Sequence, residues 1–129
     1  MRIKLNRREV LHILSSSLNL TVGTGYFEEF GLKLLYSEKE YEEARLKLPK
    51  NKPLLEDILM QILKDGNSIT FIDVKGKGEY TEFLSLRKAF QNIPKVSLRT
   101  LLEFEEGMED TNSASIVLQT ILYEEIVFD

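Results

Sequence analysis

The chain has no cysteine and no tryptophan, one histidine and three prolines in 129 residues. Without cysteine there is no disulfide, no thiolate nucleophile and no cysteine-ligated zinc. A cytoplasmic location fits that composition and is the expected one. No apolar run approaches the roughly 20 residues that a membrane helix needs, so no membrane contact is expected. Arg7, Arg8, Glu9 and His12 interrupt the first apolar pattern, so residues 1–20 hold no continuous signal-peptide core. Catalytic and nucleotide-binding signatures are missing too. There is no GxxxxGK(S/T) phosphate loop, no GxSxG elbow and no EF-hand spacing. Gly23-Thr24-Gly25 is a GxG, but Glu28 stands where a dinucleotide fingerprint needs its third glycine. No cofactor and no metal are expected, and the balance leans away from an enzyme.

One further absence is positional. Residues 103–129 contain no basic residue and eight acidic ones, a net of −8, whereas residues 1–102 carry all 17 basic residues and 13 acidic ones, a net of +4. The modest overall charge of −4 therefore conceals a mildly basic body followed by an acidic C-terminal fifth. Such a segment either packs on the basic body, forms a solvated face, or docks a basic partner.

What is present reads as a single α+β domain over residues 1–129. Four to six helices are expected to pack with a central β-hairpin and a short N-terminal strand. The apolar share of 43% suffices for one core. Arg2 to Leu5 alternates as a short strand. Asn6 with Glu9 predicts a capped helix over 7–18, with Val10, Leu11, Leu14 and Leu18 as its stripe. Tyr26, Phe27 and Phe30 have helical spacing and are read as core. Leu32, Leu34 and Tyr36 alternate as a strand would. Ser37 with Glu40 opens a charged helix with Tyr41, Ala44 and Leu48 inward, and Glu43 with Lys47 forms an i,i+4 pair. Residues 53–64 carry the strongest pattern, with Leu54, Leu55, Ile58, Leu59, Ile62 and Leu63 as one apolar face. Ser68–Val74 and Tyr80–Leu84 read as a hairpin around a flexible Lys75–Glu79 turn. Arg87–Ile93 reads as a short helix. Ser97 caps another, with Leu98, Leu101, Leu102 and Glu105 on one stripe. The last helix covers about 113–124, and Ile126–Phe128 either extends it or forms a terminal strand.

Candidate sites follow from these placements. His12, at the edge of its helix's apolar stripe, reads as a partly buried structural residue. Ser15-Ser16-Ser17 reads as a polar helical face, with no base evident beside it. Helix 7–18, helix 38–48, helix 53–64 and the hairpin together resemble the order of a winged helix-turn-helix. That resemblance implies phosphate contact by Lys75 and Lys77 at the hairpin tip, with Arg87 and Lys88 behind them. The third helix, however, exposes Glu56, Asp57 and Asp65 where a reader of DNA uses Arg, Lys, Asn or Gln. The preferred expectation is a non-catalytic protein-binding domain of the inhibitor, immunity or phage-accessory kind. Glu103, Glu105, Glu106, Glu109 and Asp110 would form its contact surface for a basic protein. A nucleic-acid binder using the hairpin lysines is the first alternative. A small enzyme without a recognisable motif is the second. An exposed strand at Ile126–Phe128 would allow a homodimer by edge pairing.

Overall fold

The computed structural model describes residues 4–49 and 51–128. Asn6 caps helix α1 (Arg7–Thr21) as its sequence predicts: the Asn6 side chain accepts from the Glu9 N–H at 2.8 Å, and Glu9 Oε1 accepts from the Asn6 N–H at 3.1 Å. Two helix-terminal donors are thereby satisfied. Arg2 and Ile3 of the expected N-terminal strand lie outside the described residues. Lys4 and Leu5 are not strand, because they lead directly into the Asn6 cap.

The stripe Val10, Ile13, Leu14 and Leu18 packs on helix α6 (Thr111–Tyr123), whose Val117, Leu118, Ile121 and Leu122 are buried in turn. After α1, two short 3₁₀ turns meet at Gly25, whose left-handed φ of 71° explains the glycine there without a phosphate. Strand β1 (Leu32–Leu35) follows, then helix α2 (Glu38–Lys47), capped by Ser37, and helix α3 (Leu55–Lys64). Ile58, Leu59, Met60, Ile62 and Leu63 of α3 are buried. Leu54 and Leu55 are not core: they stand at the cap and first turn and are 61% and 37% exposed. Lys47 does not pair with Glu43. Its ammonium lies 2.8 Å from Asp65 at the far end of α3, which fixes α2 against α3.

Strands β2 (Ile69–Asp73) and β3 (Glu82–Leu84) form the expected hairpin. The hairpin is not alone. β1 pairs antiparallel with β2, Lys33 opposite Ile72, so that β2 is the centre of a three-stranded sheet. Leu32, Ile69, Phe71 and Leu84 are buried on its inner face, and Leu35 and Phe83 face solvent. Helix α4 (Leu86–Asn92) is tied to α6 by Asn92, whose amide donates to Ile121 O at 2.9 Å. Helix α5 (Leu98–Glu105) precedes the loop to α6. The molecule is thus a single α+β domain of six helices and a small antiparallel sheet among the described residues. No helix among them is long and apolar enough to cross a membrane.

Ile126–Phe128 is neither helix nor strand. Glu124, left-handed at φ 59°, ends α6, and the chain folds back along that helix. Gln119 of α6 holds it there. Its Oε1 accepts from the N–H groups of Val127 and Phe128 at 2.8 and 2.7 Å, and its Nε2 donates to Phe128 O at 3.0 Å. The expected edge pairing at this terminus therefore has no strand to use.

Candidate functional site

The acidic segment begins on α5. Ser97 caps that helix, accepting from the Thr100 N–H at 3.3 Å, and Gly107, with φ 70°, ends it. The buried side of α5 is Thr100, Leu101 and Phe104. Leu98 and Leu102, expected on the same stripe as Leu101, instead face outward, 47% and 38% exposed. Met108, just past the helix, is 69% exposed.

Two grooves meet at Leu102. One, of about 470 Å³, lies between α1 and α5, with Ile13 and Leu101 beneath it and Arg8, His12 and Glu105 beside it. The other, a shallow recess of about 580 Å³, is formed by Leu98, Arg99, Leu102, Glu103, Glu106 and Met108.

The five predicted carboxylates divide by role. Asp110 caps α6, accepting from the Ser113 N–H at 2.9 Å. The Ser113 N–H and hydroxyl hold its carboxyl below the ordinary range. Glu103 accepts from the Ser113 hydroxyl at 2.8 Å, which joins α5 to the start of α6. Glu109 turns one oxygen, Oε2, into the protein, where it has no hydrogen-bond partner among the described residues. Glu105 and Glu106 are exposed, and no base pairs with either among the described residues. Among the described residues, Glu124 is the one carboxylate of the acidic segment that forms an ion pair with the basic body, through Lys95.

The four cations of the nucleic-acid alternative are also divided. Lys75 lays its stem over Gly31, where a Cβ would stand 2.5 Å from Lys75 Cγ, and its ammonium donates to Glu29 O at 3.1 Å. The Lys88 ammonium sits 2.6 Å from Glu82, donates to Phe83 O at 3.0 Å and lies 3.8 Å from the Phe83 ring centre. That ammonium lowers the Glu82 carboxyl pKa. Lys77 and Arg87 are exposed. The expected flexible turn is an ordered loop. Asp73, 5% exposed, accepts from the N–H groups of Gly76 at 2.7 Å, Tyr80 at 3.1 Å and Lys75 at 3.2 Å. The Thr81 hydroxyl accepts from the Asp73 N–H at 3.0 Å.

His12 is exposed rather than partly buried, because it stands one residue off the α1 stripe. It borders the α1–α5 groove and a second groove of about 470 Å³ that also holds Ser15, Asp57 and Lys64. His12 makes no side-chain hydrogen bond among the described residues, so nothing orients it as a general base. Ser17 is buried, its hydroxyl donating to Ile13 O at 2.7 Å. Among the described residues no three His, Asp or Glu side chains converge as a metal site. No protein-family model, curated protein or solved structure matches the chain.

Sequence reasoning missed Gln119, Asp73 and the outward turn of Leu98 and Leu102. A glutamine inside an apolar helical stripe was the available signal for the first. Asp73 preceding Lys75-Gly76 was the signal for the second. The third depends on where α5 meets α1, which no local pattern reports.

Proposed function

We propose that this domain is a non-catalytic protein-binding module that docks a basic, amphipathic segment of a partner on the outer face of α5. The observation that carries the reading is the pairing of exposed Leu98, Leu102 and Met108 with Glu105 and Glu106, which have no ionic partner among the described residues. Full burial of an aliphatic side chain of this size is worth about 1.5–3 kcal/mol, so three of them can anchor a contact. The surrounding carboxylates then act mainly on encounter rate and choice of partner. Glu103 supports the surface by joining α5 to the start of α6, which Asp110 caps.

The two kinds of residue separate in a kinetic experiment. A partner is captured by affinity from cell extract and identified, and its binding is followed by stopped flow. Glu105→Gln with Glu106→Gln slows association about three- to tenfold at low salt and leaves dissociation nearly unchanged. Leu102→Asp speeds dissociation. Association that is indifferent to both salt and the Gln pair removes the electrostatic part. A Leu102→Asp variant that binds like wild type removes the docking face.

A further inference from the structure

The two edges of the sheet are finished differently. Hydrogen bonds in an antiparallel ladder alternate along each strand. The Val74 N–H donates to Gly31 O at 2.8 Å, and with the observed register this makes Lys33–Ile72 and Leu35–Thr70 the hydrogen-bonded pairs. The main-chain groups of Leu32 and Leu34 consequently point out of the sheet along β1. By the same alternation Phe83 points out along β3.

The β3 edge is closed. The Phe83 N–H donates to Glu82 Oε1 at 3.2 Å, and its carbonyl accepts from Lys88 at 3.0 Å. The β1 edge is open. Leu32 is only 2% exposed, but Leu34 is half-buried, and its N–H and carbonyl have no partner among the described residues. A groove of about 310 Å³ follows this edge, with Val22, Phe27 and Leu55 across from Leu32 and Leu34.

We propose that β1 is a docking edge, which takes an extended peptide of a partner protein as a fourth strand, apolar at alternate positions and acidic opposite Lys33. The peptide residue that exchanges hydrogen bonds with Leu34 places its side chain on the face of Leu34, over the apolar groove. Its neighbours fall on the other face, beside Lys33. Lys33 is exposed and has no ionic partner among the described residues, so an acidic residue opposite it completes a cross-strand ion pair. Glu28, which borders the groove, disfavours an acidic residue at the groove-facing positions. A lysine at an open edge also discourages indiscriminate strand pairing. This surface shares no residue with the α5 face and stands independently of it.

The probes are two end-capped hexapeptides, one alternating valine and glutamate, the other valine and lysine. Amide exchange of the intact domain is followed by NMR. The valine–glutamate peptide slows exchange of the Leu34 amide at least about tenfold, and the valine–lysine peptide does not. Lys33→Glu, on an exposed position, reverses that preference. N-methylation of alternate peptide residues abolishes the protection without altering the protein. The proposal is overturned if the Leu34 amide is already protected in the free protein, by its own chain or by a second copy detected by light scattering. It is equally overturned by peptide binding that leaves Leu34 unprotected, by equal binding of both peptides, or by no binding at millimolar peptide.

Discussion

Replacing Gln119 by Leu should free the C-terminal arm from α6. Gln119 is 1% exposed, and leucine preserves most of its volume, so the change deletes hydrogen bonds rather than opening a cavity. Three bonds to the arm are lost, from Val127 N–H, Phe128 N–H and to Phe128 O, together with the Nε2 donation to Ser115 Oγ at 2.9 Å. At about 0.5–1.5 kcal/mol net for each bond to the arm, the upper limit is near 4.5 kcal/mol. The freed main-chain groups hydrate once the arm lifts, which puts the expected loss at about 2–3 kcal/mol. Lifting the arm also strips Phe128 from its aromatic neighbours, whose ring centres lie 5.2 Å (Phe30), 5.3 Å (Tyr80) and 6.1 Å (Tyr123) away.

Phe128→Ala alone should cost about 2 kcal/mol, less than the roughly 3–5 kcal/mol of a fully buried phenylalanine because this ring is half-buried. Both changes undo one docked segment, so the double variant should lose no more than about 3 kcal/mol, a coupling of about 1–2 kcal/mol. Urea unfolding followed by far-ultraviolet circular dichroism measures all four corners of the cycle. Additivity within about 0.5 kcal/mol would refute the reasoning, since Gln119 and Phe128 would then act separately.

Asp73→Asn should change the acid limb of stability. The N–H groups of Gly76, Tyr80 and Lys75 favour the charged carboxylate and hold its pKa below the ordinary value. A folded-state pKa depressed below the unfolded value of about 3.9 stabilises the protein above that pH, and the contribution fades as pH falls through the lower folded value. The Asn variant should therefore have a lower urea midpoint at neutral pH and approach wild type in acid, whereas parallel curves would contradict this. Lys77 holds a left-handed φ of 57° in the same loop. Lys77→Gly should raise stability by about 1 kcal/mol in thermal unfolding, and a drop would show that its side chain makes a contact of its own.

Local chemistry was the legible part of this fold. Asn6 with Glu9, Ser37 and Ser97 each stand at a helix start because a short polar side chain satisfies donors within its own turn, and such contacts need no knowledge of the rest of the chain. Ile58, Leu59, Ile62 and Leu63 of the α3 stripe were legible from their helical spacing, whereas Leu54 and Leu55 at its start are exposed. What failed depended on distance. Leu98 looks as apolar as Leu101, but only the place where α5 crosses the core decides which of them is covered. Lys47 sits at the right spacing for Glu43 and reaches Asp65 instead, because α3 brings that carboxylate closer than a solvated helical neighbour. Ile126–Phe128 has the composition of a strand, but the N–H groups of Val127 and Phe128 are taken by Gln119 before another strand could use them.

The charge asymmetry changes meaning in the same way. Eight carboxylates without a base suggest one continuous negative face. Folded, Asp110 and Glu103 are committed to Ser113 at the start of α6, and Glu124 to Lys95. Glu105 and Glu106 remain exposed beside outward leucines. A partner meeting that surface therefore encounters two free carboxylates, the Arg99 guanidinium and an apolar strip rather than a polyanion. Recognition by such a surface should survive high salt in part, because burial of Leu98, Leu102 and Met108 is unscreened while attraction to Glu105 and Glu106 is reduced. A partner released completely by salt would be recognising charge alone, and the apolar strip on α5 would then have no share in binding.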